Sequence, residues 1–310
     1  MKGKIIKSIS GVFFIESEEN VYEAKQLGSF KKLKMKPLVG DIANFVEKDG
    51  SYLIESIEER KNELIRPIVA NVDNLLIVMT ISTPSINLLL LDKFLVMAEY
   101  NHIRPIIIIN KKDIKIDELI YKMYKNIGYD VFETSIYDDE SIHKVLEEIK
   151  GQTSVLSGPS GVGKSSIMNY LNKNKLIKTQ EISMKLNKGK QTTRSVQLYS
   201  IDESTSIIDT PGFTSLELDF LQEEDELKNY IKEFNIYKNK CRFASCVHIN
   251  EPDCEIKKQV EEEKISSIRY KNYLLMYEEI KAKRRYWLER DSTIIIVGKL
   301  LQFAWRFRKT

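Results

Sequence analysis

The chain has 310 residues, 42% apolar and 30% charged, the balance of a globular protein and not of a disordered or membrane-embedded one. That length carries two or three domains with a sizeable core, so neither disulfides nor self-association is needed to hold the fold, and a monomer is expected. With 48 basic residues against 45 acidic ones the net charge is only +3, which excludes nucleic-acid binding by overall charge and leaves local patches.

Residues 4–57 hold short apolar runs at 12–15, 42–46 and 52–57, separated by turn signals at Gly11, Gly28, Gly40 and Asp49-Gly50, which predicts a small β domain. Charge and Pro67 interrupt the pattern at 60–70, and a boundary is placed at 65/66. Beyond Asn71, β-rich runs at 75–80, 106–110, 131–135 and 154–157 alternate with helical segments such as 87–100 and 116–127. Such alternation predicts a parallel, doubly wound sheet, which runs at 196–201 and 206–209 continue. A charged, helix-rich region follows over 217–290. The last stretch, 291–310, is basic and aromatic, a composition met at frayed ends and at RNA or membrane-surface contacts. No segment approaches the roughly 20 apolar residues of a membrane span, and the start has no export signal, so a cytoplasmic protein without a membrane partner is expected.

The first chemical motif, Asn110-Lys111-Lys112-Asp113, closes a strongly apolar strand at the edge where α/β folds bind ligands. A carboxylate at Asp113 accepts two hydrogen bonds from guanine N1–H and the 2-amino group; adenine lacks that pattern and would leave the carboxylate unpaired. Asn110 is expected at the base edge, the Lys111 stem over the base plane, and Lys112 in solvent. Thr134-Ser135, ending the next strand, is a candidate to support guanine O6 through a backbone N–H.

Gly158-Pro159-Ser160-Gly161-Val162-Gly163-Lys164-Ser165-Ser166 fits a phosphate loop between a strand and a helix. Its glycines let backbone N–H groups approach phosphate, Lys164 neutralises the β and γ oxygens, and the Ser165 hydroxyl ligates Mg2+. Downstream, Asp209-Thr210-Pro211-Gly212 offers a carboxylate for the same magnesium shell and a glycine N–H for the γ-phosphate. The polar loop between them brings Thr192 or Thr193 as a further magnesium ligand. Many GTPases have glutamine after the last glycine of that motif to orient the attacking water; here Phe213 stands there, so Gln191 becomes the candidate catalytic side chain beside Lys164, with K+ or a partner as other candidates.

All three cysteines lie between 241 and 254, and Cys241, Cys246, His248 and Cys254 supply three thiolates and an imidazole, enough for one closed, structural Zn2+.

In ordinary GTPases the phosphate loop precedes the base reader; here the order is reversed. With Val39-Gly40-Asp41, Arg60-Lys61-Asn62, Arg66-Pro67, Asn71-Val72-Asp73 and the motifs above, the chain resembles the RsgA (YjeQ/YloQ) family of circularly permuted ribosome-assembly GTPases over residues 3–287. The resemblance implies an N-terminal OB-fold barrel that binds RNA (1–65), a permuted α/β P-loop GTPase domain (66–216) and a mostly helical zinc-binding domain (217–290), followed by a tail of unassigned role. It implies a late assembly factor of the 30S subunit that contacts 16S rRNA and is released when GTP becomes GDP. Lys25, Phe30, Lys31, Lys32, Lys34 and Lys36 are the barrel's RNA candidates. The family's switch loop carries histidine where this chain has Gln191, which leaves a GTP-regulated RNA-binding scaffold with negligible turnover as the competing reading. An adenine-specific ATPase is opposed by Asp113.

Overall fold

The computed structural model describes residues 1–18, 20–28, 36–174, 196–212 and 215–306, with side chains of the last helix up to residue 286. The chain forms two compact units, Met1–Leu216 and Glu217–Thr310.

The first unit opens with five strands, β1 (Lys2–Ile9), β2 (Val12–Ser17), β3 (Asn20–Gln26), β4 (Ile42–Lys48) and β5 (Ser51–Ile57). They pair in the order β1-β2-β3-β5-β4, and a β1–β4 ladder closes the barrel. Two-residue turns join β1 to β2 and β4 to β5, and Ser10, Gly11, Asp49 and Gly50 all have positive φ, the twist that two-residue hairpins require. Ile5, Phe13, Ile15, Ala24, Phe45 and Ile54 fill the interior.

The motifs around the barrel's exit are structural. Arg60 grips the fully buried Asp41 with two hydrogen bonds of 2.8 Å. The Asn62 amide pairs with both backbone groups of Val72, at 2.7 and 2.9 Å, beside the short ladder of β6 (Glu63–Leu64) and β7 (Val69–Ala70). Asn71 donates to Gly40 O at 3.0 Å. Bidentate and amide pairs of this kind fix angle as well as distance.

The α/β part contains β8 (Asn74–Thr80), α1 (Leu88–Tyr100), β9 (Arg104–Asn110), α2 (Glu118–Ile127), β10 (Asp130–Thr134), α3 (Asp139–Glu148), β11 (Thr153–Ser157), α4 (Lys164–Lys173), β12 (Gln197–Ser200) and β13 (Ser206–Asp209). Asn87, Asp117 and Asp138 cap the first three helices by accepting N–H bonds from their first turns. The strands order as β10-β9-β8-β11-β13-β12, and every residue of central β8 is buried, as a strand covered on both faces must be. The expected parallel continuation differs at the edge, where β12 runs antiparallel to β13. The connection between them is too short for a crossover, and Asp202 closes it by accepting from Ser204 N–H at 2.8 Å and Thr205 N–H at 2.7 Å. Strand β12 also pairs with β1, so one eleven-stranded sheet runs from barrel to α/β core.

The second unit has short 3-10 turns at Glu224–Tyr230 and Lys232–Tyr237, then α5 (Glu255–Glu261) and α6 (Ser267–Arg306). Helix α6 continues through the expected start of a separate tail at 291. Arg269 on α6 meets Glu233 through two hydrogen bonds of 2.8 and 2.7 Å, both side chains being almost fully buried. Removing one partner strands a buried charge, so Arg269→Met is expected to destabilise this unit by about 3–5 kcal/mol, whereas adding Glu233→Leu recovers most of the loss. Urea denaturation followed by circular dichroism checks both. Among the described residues no helix is long and apolar enough to cross a membrane.

Candidate nucleotide site and metal centre

The phosphate loop turns out of β11 into α4. Gly158 has φ +139, and a β-carbon there would lie 2.2 Å from Val78 O, so only glycine fits the exit from the strand. Gly163, at φ +103, packs so closely that a β-carbon would lie 2.3 Å from Asn110 Nδ2. Helix α4 begins at Lys164 without any side-chain cap, which leaves its first N–H groups for a ligand anion. Ser165 and Ser166 stand exposed on that first turn, beside the exposed Ser160.

Lys164 is nearly buried and donates to Gly158 O and Pro159 O, each at 2.7 Å. Burial pulls its pKa down to about 8, against the opposing pull of the Asp209 carboxylate. Asp209 is raised above the usual carboxylate range by burial, while the Thr210 N–H and Lys164 act the other way. A β-carbon on Gly212 would lie 3.0 Å from Lys164 Nζ and 3.1 Å from Ser160 N, which puts this glycine against the phosphate loop. Thr210 fastens the turn by donating to Leu156 O at 2.7 Å. Asp209 and Ser165 offer hard oxygen ligands beside a phosphate-binding amine, a set that suits Mg2+.

The base-reading loop is tied to the phosphate loop. The Asn110 amide donates to Val162 O at 2.9 Å, and its carbonyl accepts from Thr134 Oγ1 at 3.1 Å. Asn110 was expected at the base edge; its side chain instead joins the two loops, because its amide lies in reach of the Val162 carbonyl. Lys111 donates to Thr83 O at 2.6 Å and Gly161 O at 2.8 Å, which lays its stem across the same cleft. Lys112, expected in solvent, pairs with Asp138 at 2.5 Å and holds that carboxyl below its ordinary range. Asp113 is exposed, with Oδ1 accepting from Ser135 Oγ at 2.5 Å.

Ser135 therefore enters the site through its hydroxyl. Its backbone N–H, expected at guanine O6, is taken by Ser141 Oγ at 3.1 Å. Thr134, named together with Ser135 from sequence, gives its hydroxyl to the Asn110 carbonyl. Only the spacing from Asp113 marks the segment. Gln191, Thr192, Thr193 and Phe213 lie outside the described residues, as do Phe30, Lys31, Lys32 and Lys34 of the barrel.

In the second unit Cys241, Cys246, His248 and Cys254 present ligand atoms that all lie within 4.8 Å of one another. Cys241 and Cys254 sulfurs are 3.9 Å apart, and His248 Nδ1 is 3.5, 3.4 and 3.5 Å from the sulfurs of Cys241, Cys246 and Cys254. A tetrahedron with zinc–sulfur bonds of about 2.3 Å and a zinc–nitrogen bond of about 2.0 Å has edges near 3.8 and 3.5 Å, so the cluster fits a closed four-ligand site. Burial pushes the Cys246 thiol up to about 12 and His248 down to about 4. The imidazole is thus neutral and ready to ligate, while a cation would favour the Cys246 thiolate. Glu251 accepts from Val247 N–H at 2.6 Å and Ile249 N–H at 2.9 Å, and Tyr270 and Tyr273 donate to the carbonyls of His248 and Val247 at 2.8 and 2.6 Å. Those bonds hold the loop open-handed around the ligands.

The RsgA GTPase family matches residues 57–219, and the RsgA N-terminal domain matches residues 2–52. A small ribosomal subunit biogenesis GTPase RsgA of Caldanaerobacter subterraneus is 44% identical over 295 residues, covering 92% of this chain and 98% of the relative. The protein of that name from a Geobacillus species is 43% identical over 290 residues, covering 91% and 98%. Among solved structures, YloQ, described as a circularly permuted GTPase, superposes with TM-score 0.73 at 36% identity over 91% of this chain and 95% of its own. YjeQ from Thermotoga maritima gives TM-score 0.73 at 34% identity, covering 90% and 98%.

Proposed function

Since the chain belongs to the RsgA GTPase family, we propose that it hydrolyses GTP in the biogenesis of the small ribosomal subunit, with hydrolysis timing its release. One observation carries the nucleotide assignment: the loop bearing Asp113 is hydrogen-bonded to the phosphate loop through Asn110 and Lys111, although the chain reaches them in reversed order. In this reading Asp113 reads guanine, Ser135 braces Asp113, and Gly158, Pro159, Ser160, Gly161, Val162, Gly163 and Ser166 surround the phosphates. Ser165 and Asp209, with Thr192 or Thr193, would hold Mg2+, which supplies charge neutralisation between the β and γ phosphates. Lys164 adds the protein's own positive charge there, and Gly212 N–H meets the γ-phosphate.

Cys241, Cys246, His248 and Cys254 would hold one structural zinc. The barrel, residues 1–65, is the RNA-binding domain, contacting 16S rRNA in the 30S subunit; residues 66–216 form the GTPase domain and 217–290 the zinc domain. The protein acts in the cytoplasm as a monomer.

Gln191 is the candidate that orients the attacking water. Gln191→Ala is expected to lower turnover about 10²-fold while leaving GTP affinity unchanged, measured by phosphate release; unchanged basal and stimulated rates would remove Gln191 from the mechanism, and a KCl-for-NaCl exchange reads any monovalent-ion dependence. Phe213 and Gln191 replace groups usual at their positions, and that favours, as a second reading, a scaffold with negligible turnover. Phosphate release with and without isolated 30S subunits separates the two: strong stimulation supports the enzyme, and absence of turnover in both supports the scaffold.

A further inference from the structure

A row of polar side chains leads from the barrel into the nucleotide site. Lys7 of β1 pairs with Gln197 of β12, and Gln197 pairs with Asp209 of β13. Both ladders are antiparallel, so directly opposed residues project from the same face, on strands about 5 Å apart. Lys7 is 5% exposed and Gln197 7%. Among the described residues neither polar end makes a side-chain hydrogen bond, and neither is fully sealed from solvent. Desolvation along this row lowers the Lys7 pKa from its ordinary value. The carboxylate at the end of the row is Asp209.

We propose that Lys7 and Gln197 are positioning residues for Asp209, so that the GTPase centre is incomplete without the barrel. The inference rests on the assignment of Asp209 to magnesium. With Mg2+ bound, the Gln197 amide N–H would donate to the Asp209 carboxylate, and Lys7 would donate to the Gln197 carbonyl. A cation on the amide oxygen makes its N–H a stronger donor, and a carboxylate held by such a partner is fixed in the orientation that metal binding needs. Strand β1 thereby links whatever the barrel binds to the affinity of the site for magnesium.

The test is binding, not turnover. A fluorescent, non-hydrolysable GTP analogue is titrated onto the full-length protein at a series of Mg2+ concentrations, and the magnesium midpoint is read. Lys7→Met and Gln197→Leu are each expected to raise that midpoint about tenfold, the double variant no further, and Lys7→Arg to restore it, with affinity in EDTA unchanged throughout. Where Lys7→Met does not fold, Gln197→Leu carries the test. Asp209→Asn serves as the control: if it leaves the midpoint in place, Asp209 is not a magnesium residue and the premise fails. If Asp209→Asn moves the midpoint while Lys7→Met and Gln197→Leu change only the melting temperature, the premise stands and the inference is overturned.

Discussion

Asp113→Asn is expected to weaken GTP binding about 10³-fold or more and to transfer preference to xanthosine triphosphate. In the proposed site the wild-type carboxylate would accept from guanine N1–H and the 2-amino group. An amide offers one acceptor and one donor, and its N–H would face the guanine amino group, donor against donor. A site built for a polar pattern rejects the wrong one by orders of magnitude, because desolvated groups are left unpaired. Xanthine has a carbonyl in place of that amino group and matches the amide. Asp113 is exposed and is held by the Ser135 hydroxyl, which donates equally well to an amide oxygen, so the fold should be untouched. Competition of guanosine and xanthosine triphosphates against a fluorescent nucleotide checks both halves, and equal losses for the two would contradict base reading by this residue.

The second large effect belongs to the metal centre. Stripping metal with a chelator, or replacing Cys246 with Ser, is expected to abolish cooperative unfolding of the second unit and expose the 241–254 loop to protease. Zinc in closed sites of small domains is worth roughly 10–16 kcal/mol, more than a domain's whole stability. The loop is also anchored by Tyr270 and Tyr273 to α6 and by Lys228, which donates to Cys246 O at 3.0 Å, so its loss removes packing as well as ligands. GTP affinity, housed in the first unit, should persist. Re-addition of Zn2+ should restore protection, and an unchanged digestion pattern would show that the cluster is not a metal centre.

The strand and helix order was legible because each buried strand is a short apolar run, as in 106–109, and α1, α2 and α3 each start at an Asn or Asp cap. The motifs were legible because phosphate contact restricts the residue types so severely: Gly158 and Gly163 occupy positions where a β-carbon would collide with Val78 O or Asn110. Side-chain direction was not. Asn110 turns to Val162, and Ser135 uses its hydroxyl where its amide was expected, because Ser141, six residues on, takes the N–H. No pattern in sequence encodes which of two polar groups on one residue meets the ligand. The antiparallel turn of β12 is set by the Asp202 loop, and the barrel's pairing with β12 depends on a contact between Lys7 and Gln197, far apart in sequence. Arg60, Asn62 and Asn71 look like site residues when read as motifs, yet they serve the barrel's attachment.

Reversed chain order is proposed to build one pocket in which Asp113 and Lys164 act on a single nucleotide. A crystal structure with magnesium and a non-hydrolysable GTP analogue tests it most directly. Guanine N1–H is expected within hydrogen-bond distance of Asp113 and, on the same molecule, β and γ phosphate oxygens at Lys164, released from the Gly158 and Pro159 carbonyls. A nucleotide whose base lies away from Asp113 while its phosphates occupy the loop, or whose phosphates lie elsewhere, would contradict it.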